Sequence, residues 1–304
     1  MYEEQILSIS DRPSYIGMIV SLPFIAVTFI MYGLIPLKHG HGKLLMSLLF
    51  ATFNSYLLFV ISSYVEKEGL ISSISCTLLV VVTLYFTFAS YCWMSTIHFD
   101  GWITIRDLRG YWDEVSAERR RRFWYYTAFS WVTPLLLLLL ILTVSKTAPI
   151  DTWYNPGLSN INCWLNDGMP QFLYLILPML LGVIGDITFL ALTYYKIITT
   201  DSNQLTIGRK QKMLYNFYVR VKLLSILLIN WLLDLIAWAL KFRMGYIPIS
   251  IWYLTEVCNG LVGILLLLFM IIFNKKMRIL TTKRFNEIKE SYYNKNSIPT
   301  SDNP

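Results

Sequence analysis

Seven long apolar runs divide this chain, and nothing else in the sequence restricts its fold as strongly. They fill residues 15–37, 44–64, 70–97, 123–144, 172–197, 217–240 and 251–273. Each supplies about the 20 residues that a helix, rising about 1.5 Å per residue, needs to cross a hydrocarbon core of about 30 Å. Inside lipid every backbone N–H and C=O must be satisfied within the segment, so such runs read as helices. The connections between them are short, which leaves no room for a separate soluble domain. Hydrophobic residues make up 55% of the chain and aromatic ones 15%, a usage that belongs to a membrane protein. The expected fold is an all-α, seven-helix transmembrane bundle.

Basic residues orient the ladder. Of the 26 Lys and Arg, only Arg12, Lys67, Lys146, Lys241 and Arg243 fall in the N-terminal tail or the second, fourth and sixth loops. The rest lie at the other ends of the spans, in the first, third and fifth loops and the C-terminal tail. Positive charge is retained in the cytosol during insertion, so the N-terminus is expected outside and the C-terminus inside. In a soluble protein a net charge of +7 would suggest nucleic acid. Here topology and the anionic inner leaflet account for it, so the lipid bilayer is the expected partner and nucleic acid is not. Residues 1–14 read as a short extracellular tail without the basic and apolar parts of a cleavable signal, and residues 15–274 as the seven-helix domain. In residues 275–290, Met277, Leu280, Phe285 and Ile288 can share one helical face opposite Lys and Arg, the pattern of an amphipathic helix on the inner leaflet. Residues 291–304 are polar and read as a disordered tail.

Side chains that could carry chemistry are few. Cys76, near the outer end of the third span, and Cys163, in the outer loop between the fourth and fifth, both face an oxidising compartment. A disulfide there would pin the loop over the helix mouth; the alternative is two small unpaired packing residues. Cys92 and Cys258 lie within spans and read as packing residues. His39, His41 and His98 show no metal-ligand spacing, and no cofactor motif is present. Three acids lie within spans: Asp186, Asp234 and Glu256. Each costs about 2.5–3.5 kcal/mol at mid-helix, so each should face the bundle or a wet cavity. Asp234 and Glu256 lie at matched depth below the outer ends of their helices, which fits one shared cavity; the alternative for all three acids is satisfaction by neighbouring groups without any ligand. Asn230 and Asn259 fall on the same faces as Asp234 and Glu256. Lys241 and Arg243, above Asp234, could supply a neutralising cation from the rim. Glu256, Asn259, Gly260 and Gly263 form a polar and small stripe, the pattern of close packing against a neighbouring helix. No catalytic set, paired metal site or phosphate loop supports an enzyme, and no inverted repeat or ring of charges supports a transporter or channel.

Read in order, these segments resemble the seven-helix domain of the Methuselah-like receptors of insects, in the secretin/adhesion-type division of G protein-coupled receptors. The likeness runs from YIGMIVSLPFIAVTFIMYGLIP and HGKLLM through Cys76 and FTFASYCWMSTIHFDGWITIRDLRG. It includes Trp93, Phe99, Asp100, Trp102 and Leu108-Arg109-Gly110, then Trp131, Pro134, Cys163-Trp164, Pro178, WLLDLIAW and WYLTEVCNGLVGILLLLFMIIF. It covers nearly all of residues 15–284. The chain departs from the family pattern in several places. The family pattern leads to the expectation of a cysteine-rich ectodomain before the first span, and residues 1–14 contain no cysteine. Asp186 stands where the family usually has Asn, and Val262 where it has Gln. Near Leu228 the family has a Gly that lets the sixth helix bend, whereas this span contains neither Gly nor Pro.

The resemblance implies a multi-pass plasma-membrane receptor, not an enzyme and without a cofactor, that passes an extracellular signal to a heterotrimeric G protein. It implies an unknown extracellular ligand in an outer cavity around Asn230, Asp234, Glu256 and Asn259. It also implies G-protein contacts from Arg106, Arg109, Lys210, Lys212 and Lys222, and pairing with another receptor. The other reading is a truncated, non-signalling derivative of a receptor that acts as a decoy or dimer partner of full-length ones.

Overall fold

The computed structural model describes residues 15–34, 40–68, 73–106, 116–149, 152–158, 164–200 and 207–296. Among them every regular element is helical: α1 (Ile16–Leu34), α2 (Gly40–Glu68), α3 (Ser73–Arg106), α4 (Ser116–Thr147), α5 (Met169–Thr199), α6 (Ile207–Met244), α7 (Ile249–Ile272) and α8 (Lys275–Asn296). The first seven are long and apolar enough to cross a membrane, and each covers one of the apolar runs. Several overshoot their run by a turn or more because hydropathy marks where a helix leaves hydrocarbon, not where its hydrogen bonding stops.

α3 is the hub, packing on α2, α4, α5 and α6, while α1 lies between α2 and α7. α7 is the most enclosed, with 50% of its apolar window buried, and α4 the least, with 22%. α4 therefore stands at the edge of the bundle and turns Leu135, Leu136, Leu139 and Leu140 outward. Lipid tails are as apolar as leucine, so such exposure carries no penalty in a bilayer. The main core surrounds the fully buried Trp93 with Ile25, Leu48, Leu49, Val262 and Leu266, and Trp93 meets Trp131 edge-on at 5.9 Å.

Two helices change pitch and one does not. α5 opens into a π turn over Phe172–Ile176, just before Pro178, and α7 ends in another over Leu268–Ile272. A π turn leaves one residue out of the regular i→i−4 ladder, which suits a position beside a proline that lacks its N–H. α6 is one continuous α-helix of 38 residues. Kinks usually need Pro, Gly, a π turn or an inserted group, and beyond Gly208 this helix has no Gly or Pro.

α8 begins at an asparagine cap, the Met277 N–H donating to Asn274 Oδ1 at 3.2 Å. Met277 and Leu280 turn into the main core, whereas Phe285 is exposed and the Ile288 side chain lies outside the described residues. The reading of all four as one lipid-facing surface is thereby corrected: the first two dock the helix on the bundle. The helix also runs on to Asn296, so residues 291–296 are helical rather than part of a disordered tail. Residues 1–14 and 297–304 lie outside the described residues.

Candidate functional site

The seam between α1 and α7 explains one of the three intramembrane acids. Gly17 and Gly263 let the two backbones come so close that a Cβ on either would collide with the opposite main chain, at Glu256 and Ser21 respectively. At that separation the Gly263 N–H donates to Ser21 Oγ at 2.6 Å. The Gly17 N–H donates to Glu256 Oε2 at 2.5 Å. Gly17 lies in the first turn of α1, where backbone donors lack an intrahelical acceptor and the helix dipole favours negative charge. Glu256, only 8% exposed, thus caps a neighbouring helix. The small stripe packs as its pattern predicts. The expectation that Glu256 shares a cavity with Asp234 is corrected: its Oε2 caps α1 in the seam, its Oε1 is buried without a hydrogen-bond partner, and it does not line the cavity.

Asp234 occupies different ground. A cavity of about 140 Å³ is bounded by residues from every spanning helix except α4 and by Trp164 of the α4–α5 loop. Asn230, Asp234 and Asn259 line it together; Glu256 does not. On its α2–α3 wall Ser55 and Thr87 share a hydroxyl hydrogen bond at 2.8 Å, and the Ser90 hydroxyl donates to the Thr87 carbonyl at 2.8 Å. On the α6 wall Asn230 spends its amide group on the Ile226 carbonyl at 3.3 Å, and its buried Oδ1 has no partner. Asp234, one turn further along the same face, is exposed, and Tyr56 and Tyr91 lie within its electrostatic reach. Lys241, expected to neutralise it, instead pairs with Asp167 of the loop at 2.8 Å. Among the described residues no cation forms an ion pair with Asp234.

The loop is fastened to the helices it covers. The Trp238 indole N–H donates to the Gly168 carbonyl at 3.0 Å, and its ring stacks between Phe172 and Phe242. Gly168 has φ of +86°, a left-handed conformation that glycine adopts without steric cost. The Thr77 hydroxyl donates to the Leu158 carbonyl at 2.8 Å, and Trp164 meets Phe59 edge-on at 5.3 Å. Cys76 is buried in a cluster with Leu158 and Leu165 of the same loop. Cys163 lies outside the described residues, and Cys92 and Cys258 are free thiols.

Nearer the opposite, basic end is a cluster that sequence reasoning missed. His98, which the sequence marks only as lacking metal-ligand spacing, has its Nδ1 3.4 Å from Asp186 Oδ1 of α5, both side chains almost fully buried. Its Nε2 lies 3.5 Å from the Arg220 carbonyl oxygen of α6. Arg220 is itself buried, and a Cβ on Gly101 would come within 2.6 Å of its guanidinium, so a glycine on α3 makes room for a cation on α6. The signal in the sequence is an intramembrane histidine and an intramembrane aspartate; that their helices pack together at one height is visible only in the structure. Of the expected G-protein contacts, Arg106 is exposed, Lys210 half-buried, and Lys222 exposed with its Nζ 5.3 Å from the Phe269 ring centroid. Arg109 and the Lys212 side chain lie outside the described residues. Among the described residues no three His, Cys, Asp or Glu side chains converge on a metal position.

Comparison with known proteins agrees with this architecture. The family described as 7 transmembrane receptor (Secretin family) matches residues 10–266. G-protein coupled receptor Mth2 of Drosophila simulans is 25% identical over 288 residues, which cover 90% of this chain and 52% of that protein. Probable G-protein coupled receptor Mth-like 10 of Drosophila melanogaster is 25% identical over 296 residues, covering 90% and 49%. The chain spans about half the length of the curated relatives it matches. The family match begins ahead of α1 and runs into α7, across all seven membrane-capable helices, and the chain belongs to the secretin family of seven-transmembrane receptors, multi-pass proteins of the plasma membrane.

Proposed function

We propose that this chain is a G protein-coupled receptor of Methuselah-like type, with its basic end in the cytosol, passing an extracellular signal to a heterotrimeric G protein. One observation carries the reading: α6 serves both ends of the bundle, packed there against α3 and α5, which also line the cavity and hold His98 and Asp186. It presents Asn230 and Asp234 to the cavity, and about 21 Å along the same helix it offers the Arg220 carbonyl to His98 and lays its side chain on α3. An occupant that shifts α6 at the cavity would change its hold on α3 and α5 at the basic end. Arg106, Arg109, Lys210, Lys212 and Lys222 are then the cations that would meet the G protein. A disulfide between Cys76 and Cys163 would hold the loop over the cavity, a role supported by the packing of Cys76 against Leu158 and Leu165.

The continuous α6 supports a second reading, a non-signalling receptor derivative that acts as decoy or dimer partner. Without Gly or Pro in its spanning part, this helix resists the bend that would open a cytosolic crevice. Nucleotide exchange on purified heterotrimers, stimulated by the chain in lipid nanodiscs, separates the two. The receptor reading expects exchange above empty nanodiscs, lowered by Arg106→Ala with Lys210→Ala and raised by Leu228→Gly. No exchange on any class of heterotrimer, with co-purification of a full-length receptor, would establish the second.

A further inference from the structure

The two α6 groups that face the cavity without a partner among the described residues, Asn230 Oδ1 and the Asp234 carboxylate, are both acceptors. Asn230 is 8% exposed and its Oδ1 lies in the cavity wall without a hydrogen-bond partner. Asp234 stands four residues later on the same face of α6, lines the same cavity, and has no ion-pair partner among the described residues. The other two intramembrane acids each have one neighbour from within the bundle, Glu256 Oε2 the Gly17 N–H and Asp186 Oδ1 the His98 Nδ1 at 3.4 Å, although Glu256 Oε1 and Asp186 Oδ1 are themselves buried without a hydrogen-bond partner. Of the two rim cations, Lys241 is held by Asp167, and Arg243 forms no ion pair with Asp234. A buried acceptor without a donor is costly, an intramembrane carboxylate without a cation lacks a counter-ion, and a single group can meet both demands. An ammonium has three donors and no acceptor. Around these acceptors stand Tyr56, Phe59, Tyr91 and Trp164, aromatic faces that attract a cation and cover an apolar body.

Size narrows the class. At about 140 Å³ the cavity falls below the roughly 300–1,000 Å³ of pockets that enclose drug-sized ligands. We propose that this cavity takes a primary ammonium carried on a small aromatic or apolar body, with Asp234 as counter-ion, Asn230 Oδ1 as a second acceptor and the aromatic side chains as walls. The ammonium belongs either to a free amine or to the first residue of a peptide whose remainder leaves through the mouth. This inference rests on the reading of the chain as a receptor whose cavity opens to the outside.

The test uses the full chain in lipid nanodiscs and compares 2-phenylethylamine with its neutral isostere 2-phenylethanol by calorimetric titration and thermal shift. The amine is expected to bind at least tenfold more tightly than the alcohol. Asp234→Asn should abolish that preference while leaving alcohol binding unchanged, and Asn230→Leu should weaken the amine several-fold. A free-amine tripeptide beginning with phenylalanine, set against its N-acetylated form, distinguishes the two sources; binding of either the small amine or the free-amine tripeptide supports the shared chemistry. Equal binding of amine and alcohol, or a preference that survives Asp234→Asn, overturns the ammonium assignment but leaves a ligand cavity in place. Failure of every probe to bind overturns it too, and nucleotide exchange by the same preparation then decides separately whether the receptor reading survives.

Discussion

Glu256 and Asp234 are two acids of one bundle, each two to three turns from the end of its helix nearest the α4–α5 loop, and they meet opposite fates. The α1–α7 seam answers Glu256 with a backbone donor because Gly17 permits contact that any side chain would block. The cavity wall of α6 leaves Asp234 and Asn230 Oδ1 without partners. The lesson is that depth in the membrane does not set an acid's role. What matters is whether a neighbouring helix can come close enough to offer main chain. Where small residues line both partners, the acid becomes a structural cap; where aromatic and branched side chains hold the helices apart, it faces open space.

The comparison can be broken first at the seam. Gly17→Val places carbon where the Glu256 carbonyl already stands. Overpacking usually costs about 1–3 kcal/mol, and more when backbone is the obstacle, so a large fall in unfolding temperature and folded yield is expected. A normal thermal transition in nanodiscs would mean the seam is not tightly closed.

The two acids themselves should then separate. Glu256→Ala strands the Gly17 N–H and is expected to cost about 1–3 kcal/mol, whereas Asp234→Asn removes no partner and should stay within about 0.5 kcal/mol of the parent. Because the acids share no partner, the double variant should be additive to within about 0.3–0.5 kcal/mol. A larger coupling in unfolding free energy would put them back in one site.

Smaller effects sharpen the account nearer the basic end and at the rim. A double-mutant cycle on His98→Ala and Asp186→Asn should show coupling of about 1 kcal/mol, in the range found for residues in direct contact; additivity would make the 3.4 Å contact incidental. Lys241→Ala breaks a solvent-exposed pair with Asp167 and should cost about 0.2–1 kcal/mol, less at high salt. Salt-independent destabilisation would show that the loop is held by something else.

Much of this architecture was legible in the sequence. The apolar runs located all seven spanning helices, because a hydrocarbon core imposes a length that few other constraints mimic. The stripe of Glu256, Gly260 and Gly263 announced a close helix contact. What could not be read was which helix would meet it, and Glu256 was therefore assigned to a cavity on depth alone. The same gap hid the His98–Asp186 contact. Spans differ in how far they overrun the membrane, so residue counts from the ends of α3 and α5 do not convert into a common height. Lys241 was offered to Asp234 for the same reason: the fold of the loop that brings Asp167 to it has no periodic signature.

Thiol accessibility tests the contrast between the two acids most directly. In a background of Cys92→Ser and Cys258→Ser, Asp234→Cys and Glu256→Cys would be exposed in intact cells to a small, membrane-impermeant cationic thiosulfonate. The account predicts rapid labelling at position 234 from the extracellular side, slowed by occupants of the cavity, and protection at position 256. Equal labelling at both positions, or labelling of 234 only from the cytosolic face, would contradict it.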